Sequence, residues 1–584
     1  MKKNNKQRNL RRSSLIQLVA GILIIVLVNL IGSFLFTRFD LTSEKRYSLS
    51  PATKKLLKET DDIVYFRIYL EGEFPAGFKR LRNATKEMLD EFRAYNKNIQ
   101  YEFINPSRSD NEQERNDTYQ LLIEKGLQPT NLQVNTKEGL EQQMIFPGAI
   151  ANYKSNEIPV ELLASQVGVP PEEVLNNSIQ GIEFRLASAI RDLTIVNKPT
   201  VAFIRGHGEL ENKYIYDIGQ ALSKQYTVGV ISIGGQLSSL TKRDSLSDDK
   251  TRIVNKYDAI VIAKPDSSFS EKDKFIIDQY IMRGGKVLWM IDPVFASMDS
   301  LEAAETTLGI AQNLNLEDML FRYGVRLNTD LIMDLNALPI PLRTGQVGSQ
   351  PKIDFFPWYY FPVITPTENH PIVKNLNAIK TEFVSSIDTI KVPDVKKTIL
   401  LKTSLYSRTI STPALITLAI LEQEPDERAY SGPQKTVAVL LEGEFRSDYE
   451  NRLPPEIQNN KDIGFLLKSK PTKMIVVSDG DVIRNQLHFS QGYPMPLGYD
   501  QYTGQTFGNK DFILNALDYL LDESGLISIR SREVKLRLLD MTRVNNHKIF
   551  WQSFNIFFPV LLVIVYGLIR YYLRKRKYTT GNQD

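Results

Sequence analysis

The chain has 584 residues, of which 72 are basic and 68 acidic, and its formal net charge is +4. Six basic residues lie in 1–37, and five basic residues and one acidic residue lie in 549–584, so the remaining chain is mildly acidic, with 61 basic and 67 acidic residues. Nucleic-acid binding would need a concentrated basic face, which this balance does not supply. The absence of cysteine excludes thiol nucleophiles, thiolate metal sites and iron–sulfur clusters.

Two uncharged apolar segments, residues 13–37 and 549–569, lie near the ends of the chain. As helices they would be about 37 and 31 Å long, enough to cross a hydrocarbon core of about 30 Å. Basic residues precede the first and follow the second, and short basic flanks stay in the cytoplasm. We therefore expect an inner-membrane protein with two transmembrane helices, cytoplasmic tails at 1–12 and 570–584, and a periplasmic main body.

Residues 38–180 are predicted to form an N-terminal periplasmic β-α-β domain. Ser50, which precedes a proline, predicts the start of a helix, because its side chain can cap the first turn. A β-branched and aromatic run predicts a strand over 63–72, helical spacing predicts a helix over 78–96, and a second strand follows at 99–106. This alternation indicates a largely parallel sheet.

Residues 181–548 are predicted to form a larger α/β region. Its alternating elements are strands over 200–209, 227–233, 257–265 and 286–293 and helices over 212–225 and 270–285. The polar stretch 241–250 is predicted to be a surface loop. Alternation of this kind indicates a flavodoxin-like or Rossmann-like sandwich around a parallel sheet.

The region from 300 to about 480 is less regular. Residues 345–373 are rich in proline and aromatic side chains, and we expect an ordered arm without regular elements there. Strands are predicted again over 436–445 and 473–483, and a helix over 510–523.

The most suggestive polar group is Gly206-His207-Gly208-Glu209, in the turn after a predicted strand, where open α/β sheets bind ligands. In a functional interpretation, His207 and Glu209 contact a ligand or a metal. In a structural interpretation, which we favour, the glycines permit a tight turn and the two side chains hold it by hydrogen bonds. The turn lacks the third glycine of a dinucleotide-binding motif.

Asp479 and Asp481 flank Gly480 in a second turn after a strand. Two carboxylates could ligate a divalent cation, but the oxygen ligands of a full calcium loop are missing at the required spacing. Because Asp and Gly are ordinary turn residues, we again favour a structural interpretation. The sequence contains neither a phosphate-binding P-loop motif nor a hydrolase nucleophile elbow.

Asn29 is a polar residue deep inside the first apolar segment. Polar side chains within a membrane helix can hydrogen-bond to a neighbouring helix, so Asn29 is the candidate contact with a membrane partner. An uncharged interfacial position is the simpler explanation for Gln17 and Gln552.

The chain resembles the GldG family, the auxiliary membrane components of the gliding-motility ABC transporter of Bacteroidota. The resemblance covers nearly the full length and rests on motifs in a fixed order, which include RYSLSPAT (46–53), VAFIRGHGE (201–209), YDAIVIAKP (257–265), VVSDGD (476–481) and NIFFPVLL (555–562). The central part also resembles the ABC-transporter auxiliary domain, a domain of an intraflagellar transport protein and class I glutamine-amidotransferase-like folds. The amidotransferase nucleophile is absent, because the chain has no cysteine.

The resemblance implies a non-catalytic partner of an ABC permease and a separate cytoplasmic ATPase, often labelled a substrate-binding component. No cofactor and no metal follow from it. Two other functions stay open: a membrane-anchored periplasmic hydrolase that uses His207, Glu209, Asp479 and Asp481, and a solute receptor with its cleft at the strand ends.

Overall fold

A computed structural model describes residues 16, 18–27, 48–136, 139–164, 169–195, 197–247, 250–304, 306–531 and 547–579. The chain divides into two compact units. One is the body, Ser48–Arg532, and the other is the terminal unit, Met1–Tyr47 with Glu533–Asp584.

Helices and strands alternate in parts of the body, whereas residues 325–443 contain strands without an α-helix. Its α-helices are α1 (Pro51–Glu59), α2 (Ala76–Tyr95), α3 (Glu112–Glu124), α4 (Pro171–Gln180), α5 (Ile182–Thr194), α6 (Tyr216–Ser223), α7 (Glu271–Met282), α8 (Met298–Ala303), α9 (Glu317–Tyr323), α10 (Pro455–Gln458) and α11 (Asn509–Leu521). Its strands are β1 (Val64–Ile68), β2 (Ile99–Phe103), β3 (Thr130–Thr136), β4 (Gly139–Ile145), β5 (Gly148–Tyr153), β6 (Asn156–Glu161), β7 (Thr200–Arg205), β8 (Thr227–Ser232), β9 (Thr241–Ser247), β10 (Lys250–Asn255), β11 (Ala259–Ala263), β12 (Lys286–Met290), β13 (Val294–Phe295), β14 (Thr306–Ala311), β15 (Val325–Leu327), β16 (Asp330–Asp334), β17 (Ala337–Val347), β18 (Gln350–Ile364), β19 (Ile379–Lys380), β20 (Ile387–Thr389), β21 (Val395–Lys402), β22 (Ser407–Ser411), β23 (Ala414–Thr417), β24 (Thr436–Gly443), β25 (Thr472–Val477), β26 (Tyr499–Asp500) and β27 (Gln505–Thr506).

The N-terminal sheet has the order β2-β1-β5-β6. Helix α1 begins where the sequence predicts it, and the Ser50 hydroxyl accepts a hydrogen bond from the Thr53 amide at 3.0 Å. Helix α2 joins β1 to β2, which are parallel, so the predicted β-α-β unit is present. The expectation of a largely parallel sheet is wrong here, because β5 and β6 are joined by a two-residue turn, which only antiparallel strands permit.

The main sheet has seven strands in the order β21-β24-β25-β12-β11-β7-β8. The last five are parallel, and in chain order they lie as 2-1-3-4-5, the order of flavodoxin-like doubly wound folds. The predicted parallel α/β sheet is therefore confirmed for these five strands. Strands β21 and β24 extend it antiparallel, which the sequence analysis did not anticipate.

Both faces of the main sheet are buried, because its central strand β11 is apolar at every position and its neighbours β7, β12 and β25 carry polar residues only at their ends. Val201 and Phe203 point to the face that α6 and α11 cover, and Ala202 and Ile204 point to the face that α7 covers. The period-two alternation of a strand divides side chains between two cores in this way. The sheet is consequently a rigid frame that holds the loops at its edges.

Two predictions about irregular segments are wrong. Residues 241–250, expected to be a loop, begin the hairpin β9–β10. Residues 345–373, expected to lack regular elements, contain all of β18 and the end of β17, with which β18 pairs. Strand β17 lies at the edge of its sheet, and β18 pairs on its other side only at Val363 and Ile364, so the prolines remove few ladder hydrogen bonds.

The terminal unit contains α12 (Lys548–Thr579). Its stretch Lys548–Leu573 is long and apolar enough to cross a membrane. No other helix among the described residues meets both conditions. In the first apolar segment the structure describes a shorter apolar helix, Leu18–Leu27, while Asn29 lies outside the described residues. The expectation of two spans is therefore not confirmed, and it stays a prediction.

Candidate functional site

Four polar side chains follow the carboxyl ends of neighbouring parallel strands in the main sheet. His207 follows β7, Lys264 follows β11, Asp292 follows β12 and Asp479 follows β25. Doubly wound sheets bind ligands at this edge, at the point where the strand order reverses, which here lies between β7 and β11. The edge is therefore the candidate site, and it contains two separate groups of side chains.

The first group, the histidine clamp, consists of His207, Glu209, Phe269 and Asp273. The His207 ring lies 3.1 Å from Glu209 through Nδ1 and 3.2 Å from Asp273 through Nε2. The ring also stacks on Phe269, with the ring centres 3.7 Å apart. Asp273 comes from the first turn of α7, so the clamp joins the loop after β7 to the start of that helix.

The electrostatics of the clamp favour a charged imidazole. Burial opposes the charge, but the two carboxylates outweigh it and raise the pKa of His207 above its ordinary value. Burial likewise opposes ionisation of Glu209, and the hydrogen bonds from His207 lower the pKa of that carboxyl. Both ring nitrogens are thus engaged by internal acceptors, and a ligand would have to displace one of them.

The crevice at the strand-order reversal is closed by its own loops. The amides of Asp266 and Ser267 both donate to the His207 carbonyl at 3.0 Å, and the Leu210 amide donates to the Ala263 carbonyl at 3.1 Å. Gly208 has φ +73°, and a Cβ there would come within 1.5 Å of the Asp266 carboxylate. Only glycine lets these two loops approach so closely.

The second group, the Lys264 cluster, consists of Lys264, Asp292, Asp479 and Asp481. The Lys264 ammonium lies 3.1 Å from Asp292 and donates a hydrogen bond to Asp481. Arg484 contacts the other oxygen of Asp481 at 3.2 Å. The three aspartates each place one oxygen within 4.8 Å of the others, a spacing that could hold a metal ion. Lys264 places a positive charge against two of these three carboxylates, so the cluster carries its own counter-charge.

The backbone around the cluster is shaped to bring these groups together. Lys264 has φ +54°, a conformation that non-glycine residues rarely adopt and that costs of order 1–3 kcal/mol. A Cβ at Gly480 would come within 2.5 Å of the Lys264 side chain, so glycine permits the contact. Asp479 accepts hydrogen bonds from the amides of Asp481 at 2.7 Å and Glu382 at 2.9 Å.

The carboxylates of the cluster have divergent proton affinities. Burial, reinforced by the neighbouring aspartates, raises the pKa of Asp479 well above its ordinary value. Burial also raises the pKa of Asp292, although Lys264 opposes the rise. For Asp481 burial is outweighed by Lys264 and Arg484, which lower its pKa. The aspartate held by two cations is therefore the one that stays ionised most readily.

The structure brings the predicted residues together in pairs rather than in one site. His207 lies against Glu209, and Asp479 lies against Asp481, but no hydrogen bond within the described part of the chain joins the two pairs. Whether either pair binds a ligand stays a prediction, and so does the partner contact of Asn29.

Sequence reasoning missed Lys264, Asp292 and Asp273. A signal for the first two was present, since each is the charged residue before a proline at the end of a buried strand, in AKP and IDP. The rule that parallel strands end at one edge would have placed them beside Asp479. Asp273 gave no such signal, because it reads as an ordinary acidic residue in the first turn of a helix.

Known proteins resemble the chain over most of its length. A family model described as an ABC-type uncharacterized transport system matches residues 198–516, and a model of a domain of unknown function matches residues 43–152. An uncharacterized protein of Borreliella burgdorferi is 19% identical over 576 residues, which cover 97% of this chain and 99% of that protein. A solved structure, the mmIFT52 N-terminal domain, is 11% identical with a TM-score of 0.29 and covers 58% of this chain and 100% of that one.

The first family model spans more than half of the chain, including the whole main sheet and both groups of the candidate site. The chain belongs to the family of ABC-type uncharacterized transport systems.

Proposed function

We propose that the chain is a non-catalytic, membrane-anchored subunit of an ABC transporter of the GldG kind, which serves gliding motility and couples to a permease and a separate cytoplasmic ATPase. Family membership supports an accessory role in an ABC transport system. The sequence contains no P-loop motif, so ATP hydrolysis would come from a partner.

The observation that carries the non-catalytic part is the internal pairing at the sheet edge. A hydrolase needs a nucleophile or water with a base free to take its proton. Here His207 is bound by two carboxylates, and Lys264 is bound by two others. These contacts favour the interpretation that the sheet edge is a structural frame, which keeps its shape when force is applied, rather than a reaction centre.

The proposed anchoring rests on α12 and on the charge pattern. Side chains along the Lys548–Leu573 stretch are exposed, as expected for a helix that contacts lipid or a membrane partner. In the proposed topology, the first apolar segment also crosses the membrane, both tails are cytoplasmic and the body is periplasmic. ATP-driven movement of the permease would then reach the body through the spans.

Co-purification tests the partners. The full chain, tagged and extracted from its native membranes in mild detergent, should bring down one ABC permease and one ABC ATPase. A matched control replaces residues 549–569 with an unrelated transmembrane helix of equal length, and the partners should be lost. Recovery of neither partner with the native chain would refute the proposal.

Single-cysteine labelling tests the topology without background, because the chain has no cysteine. Glu112→Cys, on the exposed surface of α3, should react in intact spheroplasts with a membrane-impermeant maleimide. Lys575→Cys should react only after the membrane is permeabilised. The opposite pattern would contradict the proposed periplasmic body.

The hydrolase and the solute receptor are the alternatives, and one variant tests the hydrolase. His207→Gln removes the only imidazole of the candidate site. Wild-type gliding in cells that contain normal amounts of this variant would contradict a hydrolase built on His207.

A further inference from the structure

A cavity of about 480 Å³ opens at the amino-terminal edge of the main sheet, opposite the candidate site. Its walls come from α5, from the residues that precede or begin β7, β11 and β12, and from the end of α11. The volume lies within the range of small-molecule sites, about 300–1,000 Å³.

The lining of this cavity is acidic. It contains five carboxylates and three cations, namely Asp192, Asp258, Asp518, Asp522 and Glu523 against Arg191, Lys198 and Lys286. Carboxylates in such excess favour a ligand of positive charge, since low-dielectric walls concentrate the field of like charges inside a cleft.

The cations of the lining compensate only part of this charge. Arg191 lies 2.8 Å from Asp192 and 3.5 Å from Asp518, so it is shared between two carboxylates. The Lys198 ammonium donates instead to two backbone carbonyls after α6, at 2.8 and 3.3 Å. Among the described residues, no carboxylate lies within 4.0 Å of the Lys286 ammonium. Among the residues that the structure describes, Arg191 is thus the only lining cation that forms an ion pair.

One buried hydrogen-bond acceptor in the lining has no donor among the described residues. Gln225, one of the lining residues, donates through Nε2 to Asp192 at 2.8 Å, and its buried Oε1 has no partner among the described residues. The Tyr226 hydroxyl already donates to Asp518. Buried acceptors are normally paired, so a ligand rich in N–H donors would suit this lining.

The cavity lies between two hydrophobic cores of the body, so a ligand there would contact both. Helix α5 packs with the N-terminal sheet in one core, and the strand ends and α11 belong to the core of the main sheet. A molecule bound between them would contact both halves of the body. Ligand sites commonly occur at such junctions.

We propose that this cavity binds an alkylammonium ligand of the diamine or polyamine class, with its ammonium groups on the carboxylates of α11 and of the strand ends. Each terminal, primary ammonium supplies three donors and one positive charge, which suits the carboxylates and the charge of the lining. An alkyl chain would lie along the apolar parts of Ile195 and Leu521. The proposal is independent of the proposed transport function.

Calorimetric titration of the full chain in detergent with spermidine tests this proposal. We expect saturable binding with a Kd below about 1 mM, weakening as salt rises because charge drives it. 1,4-Butanediol, a neutral molecule with a similar alkyl chain, should not bind. Absence of saturable spermidine binding, or equal binding of the diol, would overturn the proposal.

Two variants locate the site. Glu523→Gln removes an exposed lining charge and should weaken binding about two- to fivefold. Asn197→Trp adds a bulky ring at an exposed lining position and should abolish binding while the unfolding transition is retained. Glu59→Gln, an equal change on α1 outside the cavity, is the matched control and should bind as the native chain does. Unchanged affinity in both cavity variants would place the bound spermidine elsewhere and refute the assignment.

Discussion

Replacing Lys264 with methionine is the most direct test of how the candidate site is held together. The substitution removes the ammonium but keeps a side chain of similar length, and it leaves the strained φ of +54° as it is. Asp292 and Asp481 would lose the Lys264 contact, and three carboxylates would remain with oxygens within 4.8 Å of one another.

The expected cost follows from the burial of these groups. Removing one partner of a buried ion pair costs about 3–5 kcal/mol, because the other charge stays uncompensated. Lys264 retains 24% side-chain exposure, so water screens part of the effect and the lower end, about 3 kcal/mol, is expected. Part of the loss should return on protonation, since uncompensated aspartates bind protons more tightly. The deficit should therefore shrink as the pH falls from 7 toward 5.

Urea unfolding of the full chain in detergent, followed by the fluorescence of buried tryptophans such as Trp289, measures this difference. Lys86→Met, an equal change at an exposed position of α2, should alter stability by less than about 0.5 kcal/mol. Magnesium or calcium should stabilise Lys264→Met more than the native chain, because the cation would replace the ammonium among the three carboxylates.

Two results would refute this reasoning. A Lys264→Met variant as stable as the native chain at pH 7.5 would show that the ammonium does not hold the cluster. Equal stabilisation of both proteins by magnesium would show that Lys264 does not occupy the place of a cation.

Three further predictions concern the Gly208 turn, the histidine clamp and the cap of helix α1. Gly208→Ala should destabilise the body by about 1–3 kcal/mol in urea unfolding, because of its positive φ and the contact with Asp266, whereas Gly219→Ala, in a helix with open space, should be neutral or stabilising. The pKa of His207 is raised in the folded protein, so the stabilisation by His207 should be complete below about pH 6.5 and disappear as the pH rises through the folded pKa. The free energies of unfolding of the native chain and of His207→Gln, compared across pH, measure this stabilisation. A difference between the two that does not change with pH would contradict the prediction. Ser50→Ala should cost about 1 kcal/mol and speed hydrogen exchange at the first amides of α1; unchanged exchange would exclude the cap.

The internal pairing of the candidate site bears on how an accessory subunit works. The proposed transmission of motion would need loops that hold their geometry, and ion pairs between strand ends would provide this. The clamp fastens the loop after β7 to α7, and the Lys264 cluster fastens the loops after β11, β12 and β25 to one another. The cavity of the further proposal lies at the other edge of this sheet.

Local sequence patterns determined the strands of the parallel sheet and several of the helices around it. Helices α1, α2 and α7 and strands β7, β11 and β12 follow from side-chain capping, from apolar spacing and from short buried runs between turn residues. The apolar stretch 549–569 and its basic flank likewise predicted the long helix α12. These signals are local, so a single sequence is enough to recognise them.

Pairing partners were decided only in three dimensions. The sequence predicted a loop at 241–250 and irregular chain at 345–373, where the structure has hairpins, because strand formation in such segments depends on a neighbouring strand. The antiparallel additions to both sheets have the same cause. The local sequence of a segment does not indicate which strand will pair with it and supply its hydrogen bonds.

The candidate site divides in the same way. The sequence by itself identified His207, Glu209, Asp479 and Asp481 as polar residues in turns after strands. Only the tertiary structure showed that Asp273 binds His207 from another element and that Lys264 lies among the aspartates. The reason is physical: a charge biases the local conformation only weakly, and its role depends on which opposite charge the fold places within a few ångströms of it.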